Sequence, residues 1–242
     1  MQRENLLKPL QAVQGVVERR QTLPILANFL ITVDDGRLSV TGTDMEIELV
    51  AGVALDDAEP GEVTVPARKL VDICRSLPAD AEIRLEVEGD RALLRSGRSR
   101  FTLTTLPSGD YPSSDNVVGD LSLTVKEGEL KRLIELTHFA MAHQDVRYYL
   151  NGLLFDIADG ILRAVATDGH RLAISEMAIP GVEAARQVIV PRKGISELLR
   201  LLGGGDEEVR MDVGSNAIRI TLPEVRLTSK LIDGKFPDYR RV

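Results

Sequence analysis

The stretch ATDGHRLA, residues 166–173, places Asp168, His170 and Arg171 within four positions. A carboxylate and an imidazole can share general acid–base work, and a guanidinium beside them can hold a developing oxyanion. A hydrolase centred on Asp168 and His170 is therefore the first chemistry to weigh. A metal-assisted version lacks support: His138 and His143, on an expected helix, stand five apart, about 140° round it, and share no face. The GGG at 203–205 follows an expected helix, whereas a phosphate cradle precedes one. The sole cysteine, Cys74, offers no disulfide or thiolate cluster. The sequence thus implies no metal and no cofactor. The competing reading of TDG is a plain turn between two strands, because the first half of the chain has TGTDME at 41–46, with the same Thr-Asp and no His-Arg.

That comparison extends along the whole chain at an offset of 123 to 125 residues. DDGRLSVTGTD (34–44) answers ADGILRAVATD (158–168), VTVPARKLVDICRSLP from Val63 answers VIVPRKGISELLRLLG from Val188, and SGDYP ending at Pro112 answers DGKFP ending at Pro237. Asn28 answers Asn151. Two copies of one domain follow, 1–119 and 120–242, meeting near Gly119. In each, a short strand feeds a helix and three strands with tight turns come next. Apolar spacing predicts four helices. The first, within 3–20, is capped by Asn5, carries Leu6, Leu7, Leu10, Val13 and Val17 on one stripe, and tolerates Pro9 as a first-turn residue. The second, 66–77, begins at Pro66 and uses Leu70, Ile73, Cys74 and Leu77. The third, 126–143, uses Leu130, Leu133, Ile134, Thr137 and Met141. The fourth, 191–202, begins at Pro191 and uses Ile195, Leu198, Leu199 and Leu202. Antiparallel meanders with two helices on one face of each copy give an α+β class.

The 242 residues carry a formal charge of −7, which opposes contact with nucleic acid if it is evenly spread. It is not. The four helical windows hold thirteen cations against seven acids, and the remainder holds seventeen against thirty. Arg68 and Lys69 answer Arg192 and Lys193 just after each VP. A basic helical face beside acidic sheets and loops suits loose, sequence-independent contact with duplex phosphates. The amino terminus has no secretory pattern, and no stretch approaches the roughly 18 apolar residues a membrane span needs, so a cytoplasmic, membrane-free protein is expected.

RENLLKPL, TLPIL, VTGTDMEIE, TVPARK, RSGRSRF, AMAHQDVRYYLNG, VATDGHRLA, VIVPRKG and TSKLIDGKFPDYRRV together resemble the bacterial DNA polymerase III beta subunit family, the sliding clamps, over essentially the whole chain. The resemblance implies two tandem clamp-fold domains, with helices lining the hole of a ring that encircles double-stranded DNA without sequence specificity. It implies a non-catalytic processivity factor. Its partners would be the DNA polymerase III catalytic subunit, the clamp loader, and other polymerases and repair proteins that dock through short peptides. The family has three such domains per chain and closes as a head-to-tail homodimer. A third copy is absent after FPDYRRV, so a truncated form, half a peptide pocket and no closed ring are expected; a complete two-domain clamp closing as a trimer is the nearer alternative. Carried over residue by residue, DNA contact falls to Arg20, Arg68, Gln144, Tyr148, Tyr149, Arg192 and Lys193, although paired tyrosines also commonly pack in cores. The peptide pocket falls to Leu150, Thr167, Gly169, His170, Arg171, Leu172, Pro237, Arg241 and Val242, an apolar wall with polar edges. Arg100, Phe101 and Leu103, on an expected edge strand, match the family's subunit contact.

Overall fold

A computed structural model describes residues 1–18, 23–55, 58–112 and 119–241. The chain packs as two compact units, Met1–Ser114 with Glu224–Arg226, and Asp115–Pro223 with Leu227–Val242.

In the first unit, α1 (Arg3–Val13) is followed by β1 (Asn28–Asp34), β2 (Arg37–Thr43), β3 (Ile47–Ala54), β4 (Gly61–Pro66), α2 (Ala67–Ser76), β5 (Arg84–Glu88), β6 (Arg91–Ser96) and β7 (Ser99–Thr104). The strands form an antiparallel run β4-β1-β2-β3 and a separate sheet β5-β6-β7. The helices pack on each other, α1 against β2 and β3, α2 against β1 and β4. Leu6, Leu7, Leu10 and Val13 of α1 and Leu70, Val71 and Cys74 of α2 are buried in that layer.

The second unit repeats the plan with β8 (Leu121–Lys126), α3 (Glu127–Glu135), β9 (Gly152–Ala158), β10 (Ile161–Thr167), β11 (Leu172–Ala178), β12 (Arg186–Pro191), α4 (Arg192–Leu201), β13 (Glu208–Val213), β14 (Ala217–Thr221) and β15 (Val225–Lys230). Its sheets run β12-β9-β10-β11 and β8-β13-β14-β15. The register is the same in both units: Asn28 faces Pro66 as Gly152 faces Pro191, so Gly152 and not the expected Asn151 is the counterpart of Asn28, and Leu30 faces Thr41 as Leu154 faces Val165. The strand that answers β8 shrinks in the first unit to one bridge, Gln2 to Glu82, flanked by Arg3 N–H donating to Ala81 O and Ile83 N–H to Met1 O.

The turns show why the sequence repeats DDG and ADG. Asp35 and Gly36 have φ of 46° and 68°, and Asp159 and Gly160 have 55° and 70°. Two consecutive left-handed residues make the hairpin turn whose twist matches the strands, and Asp-Gly is among its favoured pairs.

Several expectations for the helices are corrected. Asn5 lies inside α1 and does not cap it; Gln2 precedes the helix, and Asn5 N–H bonds back to Gln2 O. Pro9 is mid-helix, beyond the first turn, and is buried against the core. Pro66 and Pro191 stand one residue before α2 and α4, at the cap position. The third helix ends at Glu135, because the Thr137 hydroxyl donates back to Leu133 O and Ile134 O and the chain passes into a 3-10 turn at His138–Ala140. His138 and His143 are therefore not on one helix at all. Among the described residues no group of three His, Cys, Asp or Glu is placed to hold a metal, and no helix is long and apolar enough to cross a membrane.

The helices' shorter limits also change the charge partition. α1, α2 and α4 each carry more cations than acids, whereas α3 has Lys131 and Arg132 against Glu127, Glu129 and Glu135. Glu127 is not a solvated charge: it is buried, with Oε1 accepting Gly203 N–H at 2.6 Å and Oε2 accepting Gly205 N–H at 3.2 Å. The amides of the GGG loop thus hold an internal carboxylate.

Candidate peptide and nucleic-acid sites

The turn between β10 and β11 is built by its own side chains. Thr167 Oγ1 donates to Arg171 O at 2.7 Å and accepts Gly169 N–H at 3.0 Å. Asp168 Oδ1 accepts the N–H groups of His170 and Arg171 at 2.9 and 3.0 Å, and Oδ2 accepts Arg171 Nε–H at 3.0 Å. These donors, the His170 and Arg171 amides foremost, hold the Asp168 carboxyl below its ordinary range. The first unit makes the same turn: Thr43 Oγ1 donates to Ile47 O and accepts Met45 N–H, and Asp44 Oδ1 accepts Glu46 and Ile47 N–H. An Asp committed to the turn in both copies is scaffold, and a carboxylate so stabilised makes a poor proton acceptor for the neighbouring imidazole. What the second copy adds is His170, exposed, and Arg171, whose guanidinium lies 5.6 Å from the centroid of the exposed Phe139 ring.

Gly169 has φ of 89°, and a Cβ there would stand 3.0 Å from an Arg147 guanidinium nitrogen. Arg147 itself donates to Asp168 O at 3.2 Å and pairs with Asp145 through Nε and a terminal nitrogen at 3.0 and 2.7 Å. That pairing holds the Asp145 carboxyl at about 2. Asn151 fixes the same loop, with Oδ1 accepting Asp145 N–H and Nδ2 donating to Asp145 O, both at 2.9 Å. One arginine thus connects the 143–149 loop to the 167–171 turn. A cleft of about 470 Å³ opens between them, lined by Phe139, His143, Gln144, Arg147, Arg171 and Arg192 among others.

Beside it, Leu150, Leu154, Val165, Ile189, Phe236 and Tyr239 form a buried cluster, with Tyr149, Leu172 and Ile232 packed against it. Of the expected pocket residues, Leu150 is 1% exposed and is core beneath the site, not open wall. Leu172 and Thr167 are half-buried, and Gly169, His170, Arg171, Pro237 and Arg241 are exposed; Val242 lies outside the described residues. The contributions of Phe139, Arg147, Phe236 and Tyr239 escape the sequence reading. The contrast between the copies was the available signal, since the second copy alone has DYRR after its FP.

Of the expected DNA residues, Arg68 is exposed in the first turn of α2, and Arg192 and Lys193 are half-buried in the first turn of α4. Arg192 donates to Met141 O at 3.1 Å, which ties α4 to the loop. Gln144 is exposed with φ of 57°. Tyr148 and Tyr149 meet edge to face at 5.8 Å, Tyr149 against the core and Tyr148 57% exposed. Arg20 lies outside the described residues. In the first unit β7 is the outer strand of β5-β6-β7, with Arg100 exposed, Phe101 half-buried and Leu103 buried in the core. Arg84, Arg95 and Arg100 face one another across the three strands, and Glu86 pairs with the first two at 2.8 and 3.3 Å.

Tandem units of two helices on antiparallel sheets, sharing one register and one turn, define the processivity-clamp class of fold. Residues 1–115 match the DNA polymerase III beta subunit N-terminal domain and residues 124–238 its central domain; the chain belongs to this family. It is 57% identical to the beta sliding clamp of Escherichia coli over all of its own length and 66% of that relative's, and 58% identical to that of Pseudomonas aeruginosa at the same coverage. The crystal structure of the P. aeruginosa DNA polymerase III subunit beta superposes with a TM-score of 0.97 at 57% identity, covering all of this chain and 66% of that one. A P. aeruginosa sliding clamp bound to griselimycin gives 0.96 at the same identity and coverage. The chain thus spans about two thirds of the length of the curated relatives it matches.

Proposed function

We propose that the chain acts as the first two domains, 1–119 and 120–242, of a DNA sliding clamp: a non-catalytic, cytoplasmic processivity factor that associates with duplex DNA irrespective of sequence and tethers the replicative polymerase. The observation that carries this reading is a cationic pair in the first turn of each helix, Arg68–Lys69 in α2 and Arg192–Lys193 in α4, with Arg68 and Lys193 at the same helical position. A cation at the same place in each repeat meets phosphates at repeated positions, which sequence-independent contact requires. Exposed Arg100, on β7 at the end of the β5-β6-β7 sheet, suits an acidic partner strand, as a subunit contact at Arg100 and Phe101 requires. A related clamp bound to griselimycin supports a ligand site on this fold, and the cleft and exposed turn of the second unit are read as that site, for short peptides from polymerases, the clamp loader and repair proteins.

Fluorescence anisotropy of a labelled duplex tests the DNA reading. Arg68→Ala combined with Arg192→Ala is expected to weaken association at low salt by at least about tenfold, equally for unrelated sequences. Unchanged binding, or a strong preference for one sequence, would remove the assignment.

A further inference from the structure

Asp156 sits in the middle of β9, 2% exposed. A buried carboxylate is costly unless paired and hydrogen-bonded. Arg163, directly opposite on β10, is not its partner; that guanidinium pairs with Glu176 at 3.0 Å. Asp156 is bonded instead by the 239–240 segment: the Tyr239 hydroxyl donates to Oδ2 at 2.5 Å and an Arg240 terminal nitrogen donates to it at 3.1 Å. The Arg240 guanidinium also lies 5.7 Å from the Tyr239 ring centroid.

The first copy manages without this. Thr32 takes the place of Asp156, facing Glu62 and Ser39 as Asp156 faces Gln187 and Arg163. There the tail is fixed by Tyr111, whose hydroxyl donates to Asn28 O and Thr41 O at 3.3 and 3.1 Å. Phe236 replaces Tyr111 in the second copy and has no hydroxyl to give. The anchor has moved three residues along, to a charged group, in the copy that also carries His170 and Arg171. Phe236 and Tyr239 share a buried cluster with Ala142, which also lines the cleft, and with Leu150, and Leu172 packs against it, so the anchored segment adjoins the cleft through this cluster and carries Pro237 and Arg241 exposed.

We propose that Asp156 is a positioning residue for the peptide groove: through Tyr239 and Arg240 it holds the 236–241 segment so that Pro237 and Arg241 form a fixed wall. The proposal rests on the groove's being the peptide site. A wall held before the ligand arrives removes the ordering cost from binding; a loosened one raises it.

The test uses the full chain, with griselimycin as the probe, by calorimetry at concentrations up to millimolar, and amide hydrogen exchange of residues 236–241. Tyr239→Phe keeps the ring in the core and deletes only the hydroxyl. Asp156→Thr installs the first copy's residue. Each is expected to speed exchange in 236–241 about tenfold and to lower griselimycin affinity by about fivefold to tenfold, while β10 amides stay protected. The double variant should bind no more weakly than Asp156→Thr alone, because that substitution already removes the Tyr239 hydrogen bond along with the Arg240 pair. Faster exchange with unchanged affinity, or unchanged exchange, overturns the positioning role. Failure of the unaltered chain to bind griselimycin at all instead overturns the groove reading beneath it, and the two failures are told apart by that control.

Discussion

Asp145 and Asp168 occupy adjacent turns of one network, and both are held ionised by hydrogen bonds, Asp145 chiefly by Arg147. A carboxylate with a depressed folded-state pKa stabilises the fold fully above its unfolded value, near 4, and loses that contribution as pH falls through the folded value. For Asp145 the window runs from about pH 4 down to about 2. The 143–149 loop should keep its order at pH 5 and loosen across that window, and Asp145→Asn should remove the acid step. A carboxyl NMR titration placing Asp145 near 4 would contradict the Arg147 pairing. At this scale the sequence was partly legible. His170 and Arg171 stood out because the first copy has Glu46 and Ile47 there. Arg147 did not, because its grip on Asp168 O spans 21 positions and follows from packing, not from spacing.

Among the elements, the strands and the turns between them were legible where local chemistry decides the conformation. DDG and ADG demanded their turns, and the prolines before α2 and α4 marked where those helices start. The end of α3 was not legible, because apolar spacing continues through Thr137 and Met141 while the Thr137 hydroxyl and a 3-10 turn end the helix. Tertiary bonds of a kind no pattern shows also tie elements together. Thr64, buried on β4, donates to Leu106 O at 2.7 Å and accepts Leu106 N–H at 2.9 Å and Asn28 Nδ2–H at 3.2 Å. It thereby pins the segment after β7 to the helix-bearing sheet. Thr64→Val keeps the shape and strands both polar groups of Leu106, which should cost about 2 kcal/mol. In a chain of this size that is a fall of roughly 4–8 °C in Tm, and Thr64→Ser should recover most of it. A Val variant melting with the unaltered protein would show that water satisfies Leu106 equally well.

For the whole molecule, a net charge of −7 means that duplex DNA is repelled on average, so any association must be carried by a few placed cations. Two mutations can separate average charge from placement. Glu88→Gln, at an exposed position on β5, removes one negative charge without touching a proposed DNA contact. Arg68→Ala removes one positive charge from the first turn of α2. If placement governs, the slope of log K against log salt should fall by about 0.9 for Arg68→Ala, one phosphate's worth of released counterions, and should stay unchanged for Glu88→Gln. If only net charge mattered, Glu88→Gln would strengthen binding by as much as Arg68→Ala weakens it. Arg192→Ala should show more than the single-phosphate change, because its guanidinium also holds Met141 O and with it the loop that carries Gln144 and Tyr148. Equal slopes for Arg68→Ala and Glu88→Gln would mean that the repeated cationic pairs are ordinary solvated charges, and the DNA reading of both helices would fall together.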